Sequence, residues 1–376
     1  MGGRDRPGHD DLGYAANDHT ALPVIATPRP RTSPAAAGLS SVRGFTIATA
    51  SPGAWRLVLQ SRWCSVVDVV YCFDRNYRQH FAASVASLVL NASQGAGAFR
   101  VHVITDTADQ AIDDFTRRLA DQFGIQINLV LLQDADLHSL AGLPTNSRYI
   151  THLSPAAYYR LLISRLLPAS VERVLYLDCD TIVLGNLAGL VSRDMGGKAV
   201  LAVRDGEAES VRRAYNLAHY VNSGVMLLDL GKWRRLDYAR KCLDQAVLGP
   251  HPLAYADQCC LNLALADDIG LLEPEWNHFV RSRAGAEDRS AVAPKILHYV
   301  GADKPWQAWY ANPLGKAYWT YLDASPWPRV EPDTPVTVKQ HYSLARKLAA
   351  EGRLAESVAA YDVIVRHLVS RQATPA

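Results

Sequence analysis

Long apolar runs are missing from this 376-residue chain, and no uninterrupted stretch approaches the ~20 residues that a membrane-spanning helix needs. No charged-then-apolar leader opens it either. Cysteine is sparse, and the six present (Cys64, Cys72, Cys179, Cys242, Cys259, Cys260) show no C-x-x-C spacing and no small secreted framework. The thiols therefore read as free ones in a reducing compartment. The expected location is the cytoplasm, with a peripheral seat at the inner face of the cell membrane as its variant. Charge of one sign is not in excess: 39 Lys+Arg against 37 Asp+Glu leave +2, which gives no support for a nucleic-acid partner. No G-x-G-x-x-G follows the first expected strand and no P-loop occurs, so a dinucleotide oxidoreductase or a kinase is disfavoured.

What remains is an ordinary globular composition, 49% apolar and 20% charged, long enough for one large domain and an appendage. Residues 1–62, rich in Pro, Ala, Gly, Ser and Arg, have no helical or strand period. They read as a disordered arm, or as a start assigned too early. Order is expected from residue 63. Buried-type strands are expected over 66–73, 99–104 and 125–132, alternating with helices over 78–90 and 108–123, and the glycines at 95 and 97 mark a turn. That alternation means α/β architecture, a mostly parallel central sheet with helices on both faces. Further helices are expected over 155–167, 232–248 and 259–266, and strands over 199–203, in the stretch 219–230 and around 295–300.

The run R-V-L-Y-L-D-C-D (173–180) is the most informative stretch. Its apolar part suits a strand buried on both faces, and it ends abruptly in Asp178 and Asp180. On an extended chain, side chains two residues apart project to the same side. Two like charges delivered to one spot call for a cation, and oxygen ligands suit a hard divalent ion such as Mn or Mg. Cys179, between them, should face the core. Ligands of such sheets sit beyond the carboxyl ends of the strands, where Asp74 also falls.

Three later stretches, H-Y-V-N-S-G-V-M-L-L-D-L-G-K-W (219–233), A-D-Q-C-C-L-N (256–262) and I-L-H-Y-V-G-A-D-K-P-W (296–306), complete a recognisable series. In this order and spacing the four resemble the motifs of glycosyltransferase family 8, which includes bacterial lipopolysaccharide galactosyl- and glucosyltransferases, glycogenin and galactinol synthase. The resemblance covers roughly residues 66–327. It implies a GT-A fold, a UDP-sugar donor, a divalent metal (usually Mn2+, with Mg2+ the substitute) and retention of anomeric configuration. Carried over position by position, Asp178, Asp180 and His298 are the implied metal ligands, and Gly301 and Lys304 the diphosphate contacts. Asp74, Asn76 and Tyr77 resemble the nucleoside site, with Tyr77 stacking on uracil. The family often has an acid where Arg75 stands. Arg160, Asp205, Asn222, Ser223, Asp257 and Gln258 resemble the donor-sugar contacts, and Gln258 falls where the family places its group beneath the anomeric carbon. An amide is a feeble nucleophile, which favours front-face displacement; Asp257 as nucleophile is the alternative.

The implied activity is transfer of a hexose, galactose or glucose, to a glycan or lipid-linked acceptor in lipopolysaccharide or surface-polysaccharide synthesis. Its alternatives are glycogenin-like self-glycosylation and an inactive UDP-sugar-binding scaffold. A glycosidase built on the carboxylate pair would leave His298 and Lys304 unexplained. Trp306, Trp309, Tyr310, Tyr318, Trp319, Tyr321 and Trp327 crowd one stretch. They suit an acceptor sugar, a membrane surface, or simple packing at the end of the domain. The expected catalytic domain spans 63–328 and a Pro-rich linker 329–340. Residues 341–370 resemble one tetratricopeptide-like hairpin, too short for a solenoid, which docks on the catalytic domain or on a partner protein.

Overall fold

The structure, a computed structural model, describes residues 66–91, 99–145, 154–282 and 292–372. The expected N-terminal arm, Cys64 and the turn at 95–97 lie outside the described residues. Ten strands follow in chain order: β1 Val67–Cys72, β2 Phe99–Thr105, β3 Gln126–Leu131, β4 Arg173–Leu177, β5 Thr181–Val183, β6 Val200–Arg204, β7 Val221–Asp229, β8 Ile269–Leu272, β9 His278–Phe279 and β10 Ile296–His298. Seven form one sheet in the order β3-β2-β1-β4-β7-β6-β8. Six of these run parallel, and β7 runs against both its neighbours. The fold is α/β, a mostly parallel sheet between two helical layers, and ends in two C-terminal helices.

The period of two along β1 and β4 sorts their side chains onto two cores. Val69, Tyr71, Leu175 and Leu177 pack with the helix Arg78–Leu90 on one face. Val70, Val174 and Tyr176 pack on the other with Tyr158, Trp233 and Cys260 from three later helices. Helix Arg78–Leu90 has the expected bounds. The stretch expected as one helix over 155–167 is instead a 3-10 helix, Pro155–Leu162, continued by one α turn, Ile163–Leu166. The helix expected over 232–248 is broken at Asp237, whose φ of +48° is left-handed, into Leu230–Leu236 and Tyr238–Leu248.

The sheet's direction pattern assembles the site. β1 and β4 are parallel, so Asp74 and Asp178 leave the same edge. β7 is antiparallel to β4, so its first residues, not its last, arrive there: Leu177 pairs with Val225, and Asp178 N–H donates to Gly224 O at 2.8 Å. A small second sheet, β5-β10-β9, sets His298 opposite Thr181, immediately after Asp180.

The aromatic stretch packs. Trp306, Trp309, Tyr310, Tyr318 and Tyr321 are buried, and Trp319 and Trp327 lean on the same core. His80 stacks on Trp306 with ring centroids 3.5 Å apart. The five buried rings serve packing, as helix Gly315–Asp323 folds back on helix Arg78–Leu90.

Candidate active site

Asp178 and Asp180 do not lie on an extended strand. β4 ends at Leu177, and the next residues form a tight turn closed by Thr181 N–H and Oγ–H donating to Asp178 O. The turn still brings both carboxylates to one side, while Cys179 goes into the core as expected. His298 Nε2 lies 3.4 Å from Asp180 Oδ1 and 3.7 Å from Asp178 Oδ2. One ligand atom from each of the three residues lies within 4.8 Å of the others, the geometry of a cation site. The residues fit a divalent ion on a second count. A Cβ built on Gly224 would stand 2.2 Å from His298 Cε1 and 2.8 Å from Asp178 Oδ2, so only glycine leaves the ligands their space.

Lys304 Nζ donates to Asp180 Oδ2 and to Tyr299 O, both at 2.6 Å. Burial alone would raise the Asp180 carboxyl, but Lys304, with His298 beside it, holds it well below the usual carboxylate range. Gly301, in the turn between His298 and Lys304, has φ +91°, a conformation that side-chain-bearing residues rarely adopt. The Arg281 guanidinium lies against it.

A chain of buried amides leads from His298 to Asp205. His298 Nδ1 meets Asn277 Oδ1 at 2.9 Å, and Asn277 Nδ2 donates to Asn222 Oδ1 at 2.9 Å. Asn222 Nδ2 donates to Gln258 Oε1 at 3.0 Å, and Gln258 Nε2 to Asp205 Oδ2 at 3.1 Å. Two backbone donors fix its direction: Gly224 N–H points at Asn222 Oδ1, and Ser223 N–H at Gln258 Oε1. Both amide oxygens are therefore assigned, Asn277 must present its own oxygen to His298, and Nδ1 must carry the proton. That leaves Nε2 as the ring nitrogen facing the two aspartates. Burial raises the Asp205 carboxyl, against the opposing bond from Gln258.

Arg160 is buried between two acids, its Nη2 2.9 Å from Asp178 Oδ1 and its Nε 3.2 Å from Asp257 Oδ2. Nη1 also donates to Ser223 O and Oγ at 3.0 Å. Ser223 Oγ donates to Asp257 Oδ2 at 3.2 Å. Burial pushes the Asp257 carboxyl up to about 6, with Arg160 opposing and Asp178 adding to it.

The third group sits apart. Asp74 and Asn76 line an open cleft of about 410 Å3 together with Asp106, Leu140, Leu143 and Tyr159. The Asp74 carboxylate caps the turn Arg75–Tyr77 through Asn76 N–H and accepts from Ser154 Oγ at 2.5 Å. Tyr77 does not line this cleft; its ring meets His80 and Trp306 edge-on.

Sequence reasoning missed three side chains here. Asn277, 2% exposed, has no spacing signal in P-E-W-N. Tyr176 reads as strand core, yet its hydroxyl donates to Asp178 Oδ1 at 2.6 Å and its ring lies 4.9 Å under the Arg160 guanidinium. Asn262 ties the start of β7 to helix Ala256–Ala264 by bonding both backbone groups of Val221. It lies within the motif at 256–262 but carries no chemical signal of its own.

Among curated proteins, the chain is 29% identical over 275 residues to the lipopolysaccharide 1,2-glucosyltransferase of Escherichia coli K12, covering 69% of this chain and 79% of that one. It is 27% identical over 289 residues to the lipopolysaccharide 1,3-galactosyltransferase of Salmonella typhimurium, covering 73% and 82%. Among solved structures, the galactosyltransferase LgtC in complex with donor and acceptor sugar analogues superposes with a TM-score of 0.59 at 22% identity, over 70% of this chain and 98% of LgtC. That likeness establishes the shared GT-A fold. The family model for glycosyl transferase family 8 matches residues 68–310, which span every site residue described above, and the chain belongs to that family.

Proposed function

We propose that the protein is a retaining hexosyltransferase that moves galactose or glucose from a UDP-sugar to a glycan hydroxyl, in lipopolysaccharide or surface-polysaccharide synthesis. The observation that carries this reading is the convergence of Asp178, Asp180 and His298 with Lys304 at one strand edge, beside the Arg160–Asp257–Gln258 group. Membership of family 8 and the kinship with lipopolysaccharide glucosyl- and galactosyltransferases support it.

In this reading Asp178, Asp180 and the Nε2 atom of His298 hold a divalent cation, Mn2+ or Mg2+. When bound, the ion neutralises charge on the departing diphosphate. Lys304 and the backbone at Gly301 hold the same diphosphate. Asp74, Asn76 and Tyr77 form the uracil nucleoside site, Asp74 and Asn76 in the lining of the 410 Å3 cleft and Tyr77 outside it. Asp205, Asn222, Ser223 and Arg160 position the hexose.

Gln258 is a poor nucleophile here for a reason beyond its chemistry: Oε1 already accepts from Asn222 and Ser223, and Nε2 donates to Asp205. Asp257 Oδ2 is likewise engaged, by Arg160 and Ser223. Both facts favour front-face displacement. The acceptor oxygen bonds to the anomeric carbon as the bond to diphosphate breaks, and the hydroxyl proton passes to the leaving phosphate. The test is UDP release from a panel of UDP-sugars with Mn2+ or with excess chelator. UDP plus Mn2+ should raise the melting temperature. Asp180→Ala should abolish both that shift and turnover; full turnover in chelator would overturn the reading.

A further inference from the structure

The second C-terminal helix leaves an apolar stripe in water that catalysis does not use. Along Leu354–Gln372, the residues Leu354, Val358, Tyr361, Val365 and Leu368 recur at steps of four, three, four and three. That is the 3.5-residue period of a coiled-coil seam, with β-branched valine at the a positions and leucine or tyrosine at d. All five are exposed, from 38% at Tyr361 to 65% at Leu354. Another side of the helix is packed: Ser357 and Ala360 are buried toward helix Val338–Ala350, and Ser357 Oγ donates to Ala345 O at 2.8 Å, while Val363, off the stripe, stays 42% exposed. Val369 flanks the stripe, and Tyr342 of the first helix, 48% exposed, meets Tyr361 edge-on, so the patch runs across both helices.

These seven side chains expose on the order of 700 Å2. Covering them with a like surface would remove roughly 1,400 Å2 in total, an ordinary specific interface, and the patch exceeds what a monomer usually leaves uncovered.

We propose that this stripe is the seam of a homodimer in which two copies pair their Leu354–Gln372 helices in parallel about a two-fold axis, so that two hairpins make a four-helix arrangement. A second copy suits the stripe because valine at a and leucine at d favour two parallel strands, which is self-complementary in the way a two-fold contact requires. Among the described residues no neighbouring repeat covers the hairpin's outer face, and a second copy supplies one. An anionic membrane would call for a one-sign basic flank beside the apolar one; here Asp362 alternates with Arg366 on the flank, while Arg346 lies over the Tyr342 ring.

The test uses the full chain. Sedimentation equilibrium should show a dimer with a Kd in the micromolar range, and Val358→Glu with Val365→Glu should weaken it at least tenfold without lowering the melting temperature. Since the paired glutamates can also unwind the helix, a second test uses cysteine on a Cys64→Ser background. Val365→Cys should cross-link under mild oxidation, because facing a positions of a parallel pair come within disulfide reach, and Ala359→Cys, on another side of the helix, should not. Four results would each overturn the proposal: a monomer up to about 100 µM, well above that Kd range, a dimer indifferent to the glutamates, equal cross-linking at 359 and 365, or a monomer that binds phosphatidylserine vesicles through the stripe.

Discussion

Asn277 stands one hydrogen bond from His298 and two from Gln258, so a single amide orients both the imidazole and the group proposed to lie beneath the anomeric carbon. Asn277→Leu removes the acceptor that keeps the proton on Nδ1. Manganese affinity, read by electron paramagnetic resonance, should then fall by about 10–100-fold. Stability should fall by about 1–3 kcal/mol, because two buried polar groups lose their partner. Asn277→Asp keeps that acceptor and should retain most of the affinity. The residue was silent in the sequence because its role comes from tertiary pairing, whereas Asp178, Asp180, His298 and Lys304 carry their chemistry in residue type and spacing. Asp257 gives a pH-dependent prediction. With its carboxyl near 6, it joins Asp178 as the second anion anchoring Arg160 only above that pH. Turnover should therefore climb through about pH 6, and Asp257→Asn should be slower and lose that acid limb.

At the scale of elements, strands and their order were legible because apolar runs of five to seven residues between helical periods have few other solutions. Turns and breaks were not. The left-handed Asp237 that splits one expected helix is an ordinary aspartate in sequence, and the reversed β7 shows only in its pairing. Gly224 reads as one small residue in a strand, yet Gly224→Ala should abolish the thermal shift by UDP and Mn2+, because its Cβ would overlap His298. The His80–Trp306 layer gives a stability prediction. Burial takes His80 from an ordinary 6.5 down to about 3, so between those values the unfolded chain binds a proton that the folded chain refuses. Stability is therefore complete above about pH 6.5 and is lost as pH falls below it, by up to about 1.4 kcal/mol per pH unit for this one group. Urea unfolding at pH 7 and pH 5 should show about 2 kcal/mol more loss in the native protein than in His80→Gln.

Over the whole molecule, catalytic and appended parts meet through few bonds. Asp333 exchanges backbone hydrogen bonds with Trp306 and Ala308, and Lys347 Nζ donates to Ala308 O at 2.8 Å. Every site residue lies between Asp74 and Lys304, and the fold shared with LgtC covers 98% of that protein but 70% of this one. The family model ends at residue 310, before either C-terminal helix begins, and we propose that the hairpin adds to a catalytic fold that is complete without it. A chain ended after Thr334 keeps the Asp333 bonds and removes both C-terminal helices. It should retain UDP-sugar turnover within about threefold, a change of well under 1 kcal/mol in barrier. Its main unfolding transition should persist, since Trp306, Tyr310, Tyr318 and Tyr321 draw their packing from helix Arg78–Leu90 and not from the hairpin. Collapse of activity with intact folding would instead assign the hairpin a part in the site, by way of the Lys347 contact with the loop that carries Lys304. Lys347→Met in the full chain separates the two outcomes, because it breaks that contact and leaves the apolar stripe untouched.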